Sequence, residues 1–324
     1  MTLLRALALW LAAAPSSFLA PSPAAVADTP LLARGARWEK VAGDLRFGEG
    51  PAWHPDGYLI FQDVPNSRTL ALGADGMVSV FREDTRNANG QAFDPARRLV
   101  ACEGFSPPAS GRRVVRVEKD GRLTVLAERF GGKRLNSPND LAIDRHGRIY
   151  FTDPRYSKRE NLELDKEGIY RIDTDGRLTR IVDRLTRPNG IVVTRDARTL
   201  YVADNASPGG VVTLWAFTLD ARGNASDGRV IHDFGSGRGI DGMTLDRDGR
   251  IWATAGTKDK AGIYVFTPDA RRAAAALTTF IPMPEDPTNC TFGGPRRDVL
   301  YVTTVSSLYR IRTRVRGQAS PPGK

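Results

Sequence analysis

The sequence predicts an all-β fold: a six-bladed β-propeller of four-stranded antiparallel blades, its ring closed by an N-terminal strand. Three observations predict it. A polar-headed hairpin recurs six times at an interval of roughly 50 residues, two more strands follow most copies, and the sixth copy runs out of chain before its fourth strand. Repeats of that period with four short strands each are the signature of propeller blades. Closing such a row into a ring buries both faces of every sheet and removes its exposed ends.

Taken in order, the chain opens with a segment outside the fold. Arg5 precedes the apolar run Ala6 to Ala14, and Ala25 and Ala27 flank Val26 as in a signal-peptidase site, so residues 1–27 read as a cleaved export signal. The run is about half of the roughly 20 residues needed to span a bilayer. The expected protein is therefore periplasmic or secreted, without stable membrane insertion.

Residues 28–314 are expected to form one domain. Its six copies are EGPAWHPDGYLIFQD from Glu49, NGQAFDPARRLVACE from Asn89, NDLAIDRHGRIYFTD from Asn139, NGIVVTRDARTLYVAD from Asn189, DGMTLDRDGRIWATA from Asp241 and NCTFGGPRRDVLYVTT from Asn289. Each reads as a strand, a turn built on Asp, Gly, Pro or Arg, and a second strand. Segments such as 168–172 and 178–182, joined through Asp175-Gly176, supply the outer pair. The last copy ends at Leu308-Tyr309-Arg310-Ile311, and residues 38–41 are expected to add its missing outer strand. Residues 315–324, polar and rich in Pro and Gly, are assigned to a disordered tail.

The formal charge of +10 does not imply a nucleic-acid partner, because the basic residues are scattered behind turns, as at Arg122, Arg177 and Arg250. Cys102 and Cys290 fall two blades apart, too far for the Cα separation of about 7 Å or less that a disulfide needs. No bridge is expected.

In a ring, the first strand of each blade lines the channel, so equivalent repeat positions lie at one height. Position one holds Glu49, Asn89, Asn139, Asn189, Asp241 and Asn289, with no apolar residue among them. Oxygen donors converging from separate strands suit a hard cation such as Ca²⁺, and two carboxylates balance its charge. Mg²⁺, Mn²⁺ and Zn²⁺ are the alternatives, although only three histidines exist and they offer no zinc site. The returning strand of each hairpin brings Asp63, Glu103, Asp153 and Asp204 back to the same face, where they either orient the amides, bind substrate or end a strand in solvent. Asp140, beside Asn139, joins Asn89, Glu103, Ser137, Asp153 and Asn289 as a candidate for substrate binding or support of the ligands.

Segments 48–53, 137–141, 151–154, 187–190 and 239–243 together resemble the family of senescence marker protein 30, gluconolactonase and luciferin-regenerating enzyme. That resemblance implies a six-bladed propeller with a divalent metal held by Glu49, Asn139, Asn189 and Asp241. It also implies lactone hydrolysis, with Asp241 as proton acceptor and a small-molecule lactone or ester as substrate. The absence of a G-x-S-x-G elbow fits a reaction without a covalent nucleophile. One position departs from the pattern: Ser137 stands where sugar lactonases of the animal type carry an arginine, which argues against an aldonolactone. A non-catalytic propeller using the metal for rigidity is the alternative from another class. Phosphotriester hydrolysis and strictosidine-synthase-like condensation are lesser ones.

Overall fold

The structure, a computed structural model, describes residues 29–107, 110–206, 211–269 and 274–319. The expected export signal, 1–27, lies outside the described residues.

Six antiparallel four-stranded sheets form the blades. The first strand of each is Gly48–Trp53, Ala88–Phe93, Leu141–Ile143, Pro188–Val193, Met243–Leu245 and Pro287–Gly293. These six strands touch one another in chain order, and the sixth touches the first, so the ring is closed. Blades one to five run in simple sequence order from the channel outward. In the sixth, Glu39–Ala42 pairs antiparallel with Leu308–Arg312, which supplies the outer strand where it was expected.

Alternation along the strands decides where the core lies. In Ile149–Asp153 every residue is buried, because each face of a blade packs on a neighbouring blade. In the outer strand Val78–Arg82 most residues are exposed. Apolar clusters accordingly sit between blades; one joins Trp252, Ile263 and Ile281 to Cys290, Phe292 and Leu300. Cys102 and Cys290 are buried in such layers and unbridged.

Two features of the strand starts place the channel side chains. Pairing between first and second strands shifts register between Glu49 and Ala52, Ala88 and Gln91, Pro188 and Ile191, and Pro287 and Asn289. Such bulges bend a strand and re-aim its side chains. Glycine follows position one where first strands meet backbone to backbone: Gly90 N donates to Asn139 O at 2.7 Å and Gly190 N to Asp241 O at 2.8 Å. A Cβ on Gly190 would lie 2.4 Å from Asp241 O, and Gly50 combines φ +47° with 2.0 Å to Asn89 O.

At the opposite end, hairpin turns carry recurring Asp–Arg pairs four residues apart: Asp94–Arg98, Asp144–Arg148 and Asp246–Arg250. Arg122 and Arg177 are exposed as expected, whereas Arg250 is tied to its turn. Residues 315–319, assigned to the tail by composition, are ordered across this end. Gln318 N donates to Leu245 O, Gln318 Nε2 to Val193 O and Gly317 N to Arg297 O, spanning blades four to six. Residues 320–324 lie outside the described set.

Ring closure joins chain segments about 270 residues apart. Glu39 makes a two-pronged pair with Arg310, at 2.7 and 2.8 Å, but both side chains are exposed. Trp38 is 2% exposed, packs into the blade-six cluster and donates Nε1–H to Pro282 O at 2.8 Å. Trp38→Ala is expected to cost about 3–5 kcal/mol and to lower Tm by roughly 10 °C. Glu39→Gln is expected to cost about 1 kcal/mol or less. Thermal denaturation of the two variants checks the order; equal losses would mean that the ion pair, not the buried ring, closes the propeller.

Candidate functional site

At the end of the ring where the first strands begin, a cavity of about 450 Å³ is lined by Glu49, Asn89, Asn139, Asn189 and Asp241. Five of the six position-one residues therefore converge. The sixth, Asn289, lies one level deeper: its Nδ2 donates to Glu49 Oε2 at 3.2 Å, and its Oδ1 accepts from Cys290 N.

Glu49 is 2% exposed and is held by Gly50 N, which donates to Oε2 at 3.0 Å. Burial first, and the Asp241 charge second, push its carboxyl well above the ordinary carboxylate range. Asp241 accepts from Asn189 Nδ2 at 2.8 Å on Oδ1 and from Arg238 Nη2 on Oδ2. The side chains of Asn89 and Asn139 face the cavity and find no hydrogen-bond partner among the described residues. Unmade amide bonds beside two mutually repelling carboxylates form a donor set that a cation would complete. No group of three or more His, Cys, Asp or Glu exists among the described residues, so amide oxygens would have to share in holding it.

Asp140 is not on this wall. It lines a smaller compartment of about 160 Å³ below, with Asn289, Gln91 and the tail residue Gln318. Burial raises its carboxyl to about 7, while the main chain of Leu141 and Ile191 donates to it. Asp140 thus links blades three and four at the one position where neither glycine nor a bulged strand start does so.

The returning-strand carboxylates are neither solvated ends nor cavity groups. Asp153 is fully buried and accepts from Asn136 N at 2.8 Å and Ser137 N at 2.7 Å. Asp204 accepts from Thr186 N and Arg187 N, and Asp63 from Arg46 N. Each clamps the loop that enters the first strand of its own blade. Glu103 instead pairs with Arg82 at 2.9 Å and Arg113 at 2.6 Å. Ser137 Oγ accepts from Phe105 N at 2.8 Å, which makes it a loop tie away from the cavity wall.

The rest of the wall escapes a reading of the repeats. Tyr156, Arg187, Asn205, Arg238 and Asp286 line the same cavity. Tyr156 rides on the loop between Ile149–Asp153 and Gly168–Ile172. That loop is pinned by Arg155, a fully buried side chain donating to Asn136 O at 2.7 Å and lying 3.8 Å over the Phe105 ring. Tyr156 Oη donates to Arg187 O, Asn205 Nδ2 approaches Tyr156 Oη at 3.4 Å, and the Arg187 guanidinium stacks on the Tyr156 ring at 5.3 Å. The signal for the arginines was positional: Arg187 and Arg238 stand two and three residues ahead of Asn189 and Asp241, on the loops that enter the channel.

Comparison with known proteins agrees with this geometry. The profile of the family described as SMP-30/Gluconolactonase/LRE-like region matches residues 47–306. A gluconolactonase of Zymomonas mobilis is 31% identical over 304 residues, covering 86% of this chain and 82% of that protein. A pentonolactonase of Haloferax volcanii is 27% identical, covering 82% and 83%. Among solved structures, a gluconolactonase from Xanthomonas campestris superposes with a TM-score of 0.76 at 33% identity, covering 90% of this chain and 95% of that one. A channel ringed by Glu49, Asn139, Asn189 and Asp241, carried on six matching blades, places this chain in the SMP-30, gluconolactonase and luciferin-regenerating enzyme family.

Proposed function

We propose that the protein is a divalent-cation-dependent lactonase acting on a hydroxylated lactone of the sugar-acid type. The convergence of Glu49, Asn139, Asn189 and Asp241 on one open cavity carries this reading. Relatives named for gluconolactone and pentonolactone hydrolysis support the substrate class.

Glu49, Asn139, Asn189 and Asp241 would hold the ion, with Asn89 beside them. Hard oxygen donors and two carboxylates suit Ca²⁺ first, and among the described residues no thiolate or imidazole lines the cavity. When bound, such an ion polarises a carbonyl and lowers the pKa of water. Asp241 is the proton acceptor, its carboxylate aimed by Asn189 and Arg238. Arg187, Arg238, Asn205 and the Tyr156 hydroxyl offer donors for ring and hydroxyl oxygens. The guanidinium missing at position 137 is thus answered from neighbouring loops, which weakens the argument that Ser137 raised against an aldonolactone.

Export belongs to the same proposal and rests on the pattern of residues 1–27. Intact mass of the protein recovered from the producing cell's exterior or periplasm is expected to give Asp28 as the first residue; an unprocessed mass would remove this part.

A panel of aldonolactones, assayed with and without chelator, tests the activity. Asp241→Asn is expected to lower kcat/KM by about 10²-fold or more with the fold intact by circular dichroism. Cation binding with no turnover of any lactone or ester would favour a binding module instead. For Glu49→Gln, the rise in Tm on adding Ca²⁺ is expected to shrink because one compensating charge is gone. Its Tm in chelator is expected to stay level or rise, since burial of that carboxylate opposes folding in the metal-free protein. An undiminished Ca²⁺ response in this variant would show that Glu49 holds no ion.

A further inference from the structure

Arg238 is the one cation in contact with the channel carboxylates among the described residues, and three groups fix it. Nη2 pairs with Asp241 Oδ2, while Nη1 donates to Pro287 O at 2.6 Å and Gly256 O at 3.2 Å. Those carbonyls belong to blade six's first strand and to the end of Ile251–Ala255 in blade five. The guanidinium is therefore held between two blades by two main-chain carbonyls outside the carboxylate pair. Asn189 turns its nitrogen, not its oxygen, toward Asp241 Oδ1. Each Asp241 oxygen thus already accepts one hydrogen bond, and a cation that binds there shares the carboxylate with Arg238 and Asn189.

We propose that Arg238 is a resident counter-ion: it neutralises Asp241 while the site is free of metal and competes with an incoming cation for that carboxylate. This rests on the reading of the cavity as a cation site. The physical argument is charge balance. A guanidinium held at hydrogen-bond distance from Asp241 offsets the carboxylate charge without an ion. The same positive charge repels a divalent ion a few ångströms away, so Arg238 stabilises the empty channel and loosens the loaded one. Its two carbonyl anchors keep it at the edge of the site as a permanent competitor.

The test uses mature protein, residues 28–324, stripped with chelator and titrated with Ca²⁺ by calorimetry. Wild type is compared with Arg238→Gln, Arg238→Met and Arg238→Lys. The neutral variants are expected to bind Ca²⁺ on the order of tenfold more tightly than wild type, and the lysine variant to remain near it. In chelator the neutral variants should melt below wild type, with the gap closing in saturating Ca²⁺; a residue that merely braced two blades would lower Tm equally in both conditions. Equal or weaker Ca²⁺ binding by the neutral variants would overturn the counter-ion role and leave the cation site standing. Absence of Ca²⁺, Mg²⁺ and Mn²⁺ binding by wild type would overturn both. Arg238→Met keeps the length of the stem, so a folding failure confined to Arg238→Gln does not decide the matter.

Discussion

The structure depends on a hoop of hydrogen bonds between neighbouring first strands at the channel, which are main chain to main chain between blades two and three, four and five, and five and six. Gly90 N to Asn139 O, Gly190 N to Asp241 O and Gly242 N to Thr288 O are links of that hoop. Thr288 Oγ1 to Gly48 O carries it across the seam where the chain closes. Links this short require blades in near contact at the axis, and a side chain on the donating residue would prevent it. Because the acceptors at two links are the carbonyls of Asn139 and Asp241, the hoop fixes the backbone of the residues whose side chains form the cavity.

Around the hoop a second set of bonds sets direction. Asp63, Asp153 and Asp204 each receive main-chain N–H groups of the loop leading into their own first strand. The carboxylate at the end of one strand thereby dictates how the chain enters its neighbour, and the bulge that follows turns position one inward. Rigid supports of this kind hold the half-exposed amides of Asn89 and Asn139 at the cavity wall without a protein partner among the described residues.

Much of this was legible in the sequence because repetition amplifies weak signals. One Asn at a strand start says little, but six polar residues at one repeat position identify the channel lining, and five of them meet in a single cavity. The ring order, the latch strand and the unbridged cysteines follow from the same register. What the register could not show lies between the repeats. Tyr156, Arg187 and Arg238 sit on loops of unequal length, where no copy predicts another, and Asn205 ends the strand Thr199–Asn205 one residue past Asp204. The places of Asp63 and Asp153 were legible but their task was not, since both hold backbone amides, which every residue but proline carries, with Arg68 and Asn66 side chains added at Asp63. Order in residues 315–319 was hidden for the same reason: Gln318 is held by main-chain pairing that composition does not encode.

That ordered tail has a consequence for traffic. Residues 317 and 318 bridge three blades at the far end of the ring, and the compartment they line holds about 160 Å³ against about 450 Å³ at the mouth. Among the described residues the far end of the bore is the narrower one, and Gln318 crosses it between blades four and five. In the proposed reaction, an opened acid that leaves by the wide mouth competes there with the next ring to arrive.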